Sequence, residues 1–183
     1  MLFCLCVLFM VTMKTSSVPT ETFEGLALMD PHFQVYWKTN HSHITFELHV
    51  AAHGYVGFGL TANASGAMYP GDLILGYVSN NQSYFGDYHT TRHGQPILDA
   101  SQDWFLLLAT EDNDETVLKF TRAFNTQDKQ DDIDITKQGN HVIWSYTLDD
   151  PTSPSNYTHH GTNRGSVDIG LVGNDNLVGR ELL

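Results

Sequence analysis

An all-β fold, specifically an antiparallel immunoglobulin-like β-sandwich, follows from three features of this sequence. Apolar residues alternate with polar ones at a period of two, the runs are short, and no segment keeps a helical period for three turns. Turn-forming residues separate the runs roughly every ten residues, the spacing of a sandwich rather than of strand–helix units. The clearest run is His43–Val50: Ile44, Phe46, Leu48 and Val50 fall on one side, His43, Thr45, Glu47 and His49 on the other.

The runs follow in order. Phe33–Lys38 comes first, with Val35 and Trp37 on one side. After His43–Val50 come Tyr55–Leu60, Leu73–Val78, Ser83–His89, Trp104–Thr110, Thr116–Arg122 and His141–Leu148, and Ser166–Leu171 closes the domain. Between them stand Thr39-Asn40, His53-Gly54, Ser79-Asn80-Asn81, His93-Gly94, Asn113-Asp114 and Gln138-Gly139-Asn140, all turn chemistry. The stretch Asn125–Lys137 interrupts the pattern with Asp128, Asp131, Asp132 and Asp134. It lacks the glycine and terminal glutamate of an EF-hand loop, so it reads as a solvated loop with a short helical turn.

At 183 residues the chain has room for one domain, expected at 22–173, with a large enough core to fold without disulfides. Residues 1–18 read as a secretory signal peptide: Leu2 to Met13 is almost purely apolar, too short to span a bilayer, and small residues follow. An uncleaved segment would instead anchor the chain to the membrane. Cys4 and Cys6 both lie in this leader, so thiolate ligands and Cys nucleophiles are excluded from the mature domain. Four N-x-S/T sequons, at Asn40, Asn63, Asn81 and Asn156, fit a glycoprotein of the secretory pathway. With 9 basic against 21 acidic residues, a formal charge of −12, the chain has no cationic footprint for nucleic acid or an anionic membrane surface. Residues 174–183 read as the start of a tail.

The densest region is Gly54 to Tyr77, two apolar runs flanking a small-residue connector with Gly66, Met68, Pro70 and Asp72. Its glycines mark tight turns or close approach of the backbone. Asp72, at the mouth of an apolar strand, needs a partner: water, a cation or a backbone amide.

The combination Gly54-Tyr55-Val56-Gly57-Phe58-Gly59, Gly66-Ala67-Met68 and Asp72-Leu73-Ile74-Leu75-Gly76 resembles the DOMON domain. Tyr84-Phe85-Gly86-Asp87-Tyr88, Gln102-Asp103-Trp104, Phe120-Thr121-Arg122, Val142-Ile143-Trp144-Ser145-Tyr146, and Tyr157-Thr158-His159-His160 leading into Asn163-Arg164-Gly165 are similar to one branch of that family. This branch is the N-terminal domain of the copper type II, ascorbate-dependent monooxygenases, the dopamine β-hydroxylase-like proteins. The similarity runs in family order from about Phe23 to Leu171.

The resemblance implies a secreted, non-catalytic binding, assembly or regulatory module whose partners are other domains or subunits of a copper monooxygenase. Copper in that family is held by histidines and a methionine of further domains. Here the one His-His pair, His159-His160, is followed by Gly161 rather than methionine, so this stretch alone is expected not to hydroxylate a substrate. Gln127 stands where relatives carry a cysteine that ties this domain to the catalytic part.

Two cofactor expectations follow from the resemblance. The monooxygenase branch suggests calcium or another hard cation on the Asp72 and Asp103 carboxylates and the Leu73 and Tyr88 carbonyls. On the bland alternative, Asp72 and Asp103 cap turns. The cytochrome branch suggests a b-type haem between Met68 and His159 or His160. On its bland alternative, Met68 packs in the core. No Gly-x-Ser-x-Gly elbow supports a hydrolase.

Overall fold

The computed structural model describes residues 18–112, 115–154 and 156–173. Most of the expected leader (residues 1–17, with Cys4 and Cys6), the Asn113-Asp114 turn and the tail at 174–183 lie outside these residues. The described chain forms eleven strands: β1 (Gly25–Asp30), β2 (Phe33–Thr39), β3 (His43–Val50), β4 (Val56–Thr61), β5 (Gly71–Ser79), β6 (Gln82–Thr90), β7 (Ile97–Leu98), β8 (Phe105–Glu111), β9 (Thr116–Ala123), β10 (Asn140–Tyr146) and β11 (Arg164–Ile169). They make two antiparallel sheets, β1-β2-β3-β9-β8 and β11-β10-β4-β5-β6-β7, stacked as a sandwich.

The alternation read from the sequence sets the inner faces. Ile44, Phe46, Leu48 and Val50 of β3 are fully buried, and they meet Phe58 and Leu60 of β4 and Ile74 of β5 in one core. Phe46 packs on Phe58 with ring centroids 4.9 Å apart and on Phe120 at 5.8 Å. The first pair joins the two sheets and the second two neighbouring strands of one sheet, and such tilted aromatic pairs stabilise beyond their buried area.

Three elements depart from the sequence pattern. Strand β1 was not expected, because its large residues point the wrong way. Leu26 and Leu28 are exposed, while Gly25 and Ala27 face inward. The cause is Trp37, which fills the space under β1: a Cβ on Gly25 would lie 2.1 Å from its ring. Strand β7 is only two residues long, too short to show a period. The 125–137 stretch is a loop, but neither helical nor fully solvated. Ile135 is buried, Ile133 packs against the core, and the Ile135 amide donates to the Phe124 carbonyl at 2.8 Å. Two isoleucines among the aspartates are what pull it inward.

Candidate functional site

Strand β5 is buried along nearly its whole length, and its two faces do different work. Asp72 and Ile74 point into the sandwich. Leu73, Leu75 and Tyr77 point away from it and, with Tyr55, form a second buried cluster under Tyr84, Tyr88 and Tyr157. Each face carries a candidate site.

On the outer face lies a cleft of about 670 Å³. Leu73, Leu75 and Ile143 line it on the strand side, Met68 on the connector side, and Tyr157 and His160 on the opposite segment. The connector is pinned from below. The Thr61 hydroxyl faces the Ala67 and Pro70 carbonyls at 2.6 and 3.0 Å, and the Thr90 hydroxyl donates to the Met68 carbonyl. Gly66 turns the connector with a φ of +72°, in the region glycine adopts without cost. Half-buried Met68 is thereby turned toward the cleft rather than packed in the main core.

The opposite segment is anchored by two tyrosines. The Tyr55 hydroxyl donates to the Thr158 carbonyl at 3.0 Å, and the Tyr157 hydroxyl shares a bond with that of Tyr88 at 3.1 Å. Burial pushes the Tyr55 phenol up to about 12, a Ser145 bond pulling slightly the other way. Burial likewise raises Tyr157, reinforced by its bond to Tyr88. Both phenols are neutral hydrogen-bonding groups.

His159 and His160 both line the cleft, yet their bonds divide them. The Gly161 amide donates to His159 Nδ1 at 3.0 Å, which uses that lone pair and puts the ring hydrogen on Nε2. His160 Nδ1 lies 3.2 Å from the Gly161 carbonyl, an acceptor only, so Nδ1 carries the hydrogen and the Nε2 lone pair has no partner among the described residues. Burial lowers the His160 pKa, with His159 and Arg164 adding to the effect, which keeps the ring neutral. A neutral imidazole whose Nδ1–H is held by a carbonyl is in the form that binds metals. Arg164 and His93, both exposed, stand at the rim.

On the inner face, Asp72 is fully buried and its partners are protein groups. Trp104 Nε1 donates to Oδ1 at 2.7 Å, the Ile133 amide donates to Oδ2 at 2.9 Å, and Arg122 donates to Oδ2 as well. The Arg122 guanidinium also lies over the Trp104 ring, 4.7 Å from its centroid. A cation on Asp72 would compete with this guanidinium for the same oxygen.

Asp103 is tied to this region through Asp87: its amide donates to Asp87 Oδ2 at 2.8 Å. The carboxylates that gather with Asp72 within 4.8 Å are Asp87 and Asp132, while Asp103 is not among them. Leu73 and Tyr88 face each other across the β5–β6 pairing. Burial pushes Asp87 up to about 8, with Asp72, Asp132 and Asp99 adding repulsion against the Asp103 amide bond. Burial and the Asp72 charge push Asp132 up to about 6.

Sequence reasoning singled out Asp72 but missed Arg122 and Trp104 as its partners, and it missed the buried role of Asp87 and Asp132. It also passed over one His-x-His pair, His41-Ser42-His43. That pair is exposed on the β2–β3 turn, where His43 Nδ1 contacts the Ser42 hydroxyl. Among the described residues it joins no cluster of metal-ligating side chains. Of the sequons, Asn40, Asn81 and Asn156 are exposed, whereas Asn63 is half-buried with its Nδ2 donating to the Tyr69 carbonyl at 3.2 Å.

Residues 29–147 match the family model of the DOMON domain. DBH-like monooxygenase protein 1 of Homo sapiens is 35% identical over 154 residues, 83% of this chain and 24% of that protein. MOXD1 homolog 2 of Drosophila melanogaster is 38% identical over 127 residues, 67% of this chain and 16% of that protein. The chain thus spans a quarter or less of the length of these relatives. Among solved structures, the cytochrome domain of Myriococcum thermophilum cellobiose dehydrogenase superposes with a TM-score of 0.62 at 16% identity, covering 84% of this chain and 83% of that one. The cytochrome b domain of pyranose dehydrogenase from Coprinopsis cinerea gives 0.56 at 16% identity, over 75% and 76% of the two chains. The sandwich, its glycine-rich β4–β5 signature and the family match over residues 29–147 agree, and the chain belongs to the DOMON domain family.

Proposed function

We propose that this chain is a non-catalytic binding module and that the ligand of its outer cleft is a b-type haem. The observation that carries the reading is the meeting of a thioether, Met68, and an imidazole with a free Nε2, His160, in one apolar cleft. The residues present suit such a group. The volume of about 670 Å³ is ordinary for a cofactor site, the floor is aliphatic, and the donors are a soft sulfur and a neutral nitrogen. Two solved structures of the same fold are cytochrome domains, which supports a haem as the class of ligand.

Met68 and His160 would hold the haem, and a haem held by a thioether and an imidazole would supply one-electron transfer. The chain's own residues do the rest. The Gly161 carbonyl orients His160, Tyr55 and Tyr157 fix the segment that carries it and shield it from water, and Arg164 offers a cation at the rim to acidic groups of the ligand. His159, with its Nδ1 lone pair engaged, is not the ligand in this account.

The setting belongs to the same proposal. The sequons and apolar leader support a glycoprotein of the secretory pathway, and the relatives support association with the further domains of a DBH-like monooxygenase. To test the ligand, the purified domain is titrated with hemin. Saturable binding at one haem per chain, abolished in Met68→Ala, is expected; no Soret band beyond that of free hemin overturns the reading.

A further inference from the structure

At the β6–β7 edge of the six-stranded sheet, three segments bring a histidine and two aspartates together. His89 comes from β6, Asp99 from the turn just after β7, and Asp131 from the loop that follows β9. Each offers one ligand atom, and these atoms lie within 4.8 Å of one another. None of the three lines the cleft, and none belongs to the Asp72–Asp87–Asp132 group.

Asp99 is what makes this more than a surface ion pair. Its side chain is 2% exposed, one oxygen bonds His89 Nδ1, and Oδ2 is buried with no hydrogen-bond partner among the described residues. A buried carboxylate oxygen left unpaired is costly to desolvate, and the His89 contact does nothing for it. The backbone is held as well. The Asp99 amide donates to the Asp87 carbonyl at 3.0 Å, and Gln102 Nε2 donates to the Asp99 carbonyl at 3.0 Å. Asp131 Oδ1 stands 3.7 Å from His89 Nδ1, beyond hydrogen-bond reach but near enough to share an ion. His89 and Asp131 keep 16% and 19% of their side chains exposed, which leaves an entry path on one side.

We propose that His89, Asp99 and Asp131 bind a divalent transition-metal ion of the zinc class. One imidazole nitrogen with two carboxylate oxygens is a borderline donor set. It suits Zn²⁺ or Co²⁺, with water completing the shell, better than Ca²⁺, which takes six or more oxygens. The ion neutralises two aspartates, occupies the orphaned Asp99 Oδ2, and ties the β6–β7 edge to the loop after β9. Its role is structural: it fixes the loop that also supplies the Ile133 amide to Asp72.

The experiment uses metal-stripped protein without hemin, so that its outcome is independent of the cleft. ZnCl₂ is added during thermal melting and calorimetric titration, and CoCl₂ serves as a spectroscopic probe. A single ion per chain, a raised melting temperature and visible d–d bands of protein-bound cobalt are expected. Asp99→Asn and His89→Gln should each weaken zinc binding by at least about 10-fold. The Asp131→Asn variant changes a partly exposed group and serves as a third arm if the buried variants fail to fold. No zinc-dependent shift in the wild type overturns the proposal. So does a shift that survives all folded variants, or one produced equally by CaCl₂.

Discussion

Met68 and His160 line one cleft although they are far apart in the domain's sequence, one before β5 and the other before β11. The juxtaposition is made by the β10–β4–β5 pairing, which sets the connector before β5 and the segment before β11 over the same face. Each is then pinned by hydroxyls, Thr61 and Thr90 on one side, Tyr55 and Tyr157 on the other.

The connector's shape should therefore matter as much as its methionine. Gly66 has a φ of +72°, and a Cβ there would lie 2.0 Å from Ser166 Oγ. Gly66→Ala is expected to cost about 1–2 kcal/mol of strain and to move the connector. Hemin affinity, read by absorbance titration, should fall by about 10-fold, equivalent to about 1.4 kcal/mol. Unchanged affinity would show that the connector does not shape the site.

On the inner face, Arg122 and Asp72 form an ion pair with both side chains fully buried. Removing one partner strands a charge, so Asp72→Ala or Arg122→Ala should destabilise the domain by about 3–5 kcal/mol in urea unfolding. The double variant Asp72→Ala/Arg122→Ala should lose less than the sum of the singles, because neither charge is then left alone. Additive losses would contradict the pairing.

The tyrosines give a pH signature. Tyr55 is raised to about 12 in the folded chain by burial, against about 10 unfolded. The folded state therefore holds its proton where the unfolded state has lost it, so stability is fully present below pH 10 and is lost as pH rises through about 12. Melting temperature should fall steeply over that interval, and Tyr55→Phe should flatten the slope. A slope unchanged in Tyr55→Phe would contradict the assignment.

Loss of the indole donor should be smaller. Trp104→Phe keeps the ring under Arg122 but removes the 2.7 Å bond to Asp72 Oδ1. A loss of about 1–3 kcal/mol is expected from urea midpoints at constant m-value. No loss would mean that water replaces the indole.

Sequence reasoning reached the fold because the alternation of β3 and its neighbours is a local signal. It failed at β1, where the inward residues are Gly25 and Ala27 and only the distant Trp37 explains them. Asp72 was legible as a carboxylate in need of a partner. Its partners were not, since Trp104, Arg122 and the Ile133 amide come from three other segments, and pairing across the sandwich leaves no mark in the spacing. Met68 and the two histidines were legible as a set, while the choice between His159 and His160 rests on whether Nδ1 accepts from the Gly161 amide or faces the Gly161 carbonyl.

That choice allows the most direct test of the account. The visible spectrum of the hemin-loaded, reduced domain is compared for the wild type, His160→Ala and His159→Ala. A sharp low-spin spectrum is expected in the wild type and in His159→Ala, and its loss in His160→Ala. Loss in His159→Ala with retention in His160→Ala, or no haem spectrum in the wild type, would contradict it.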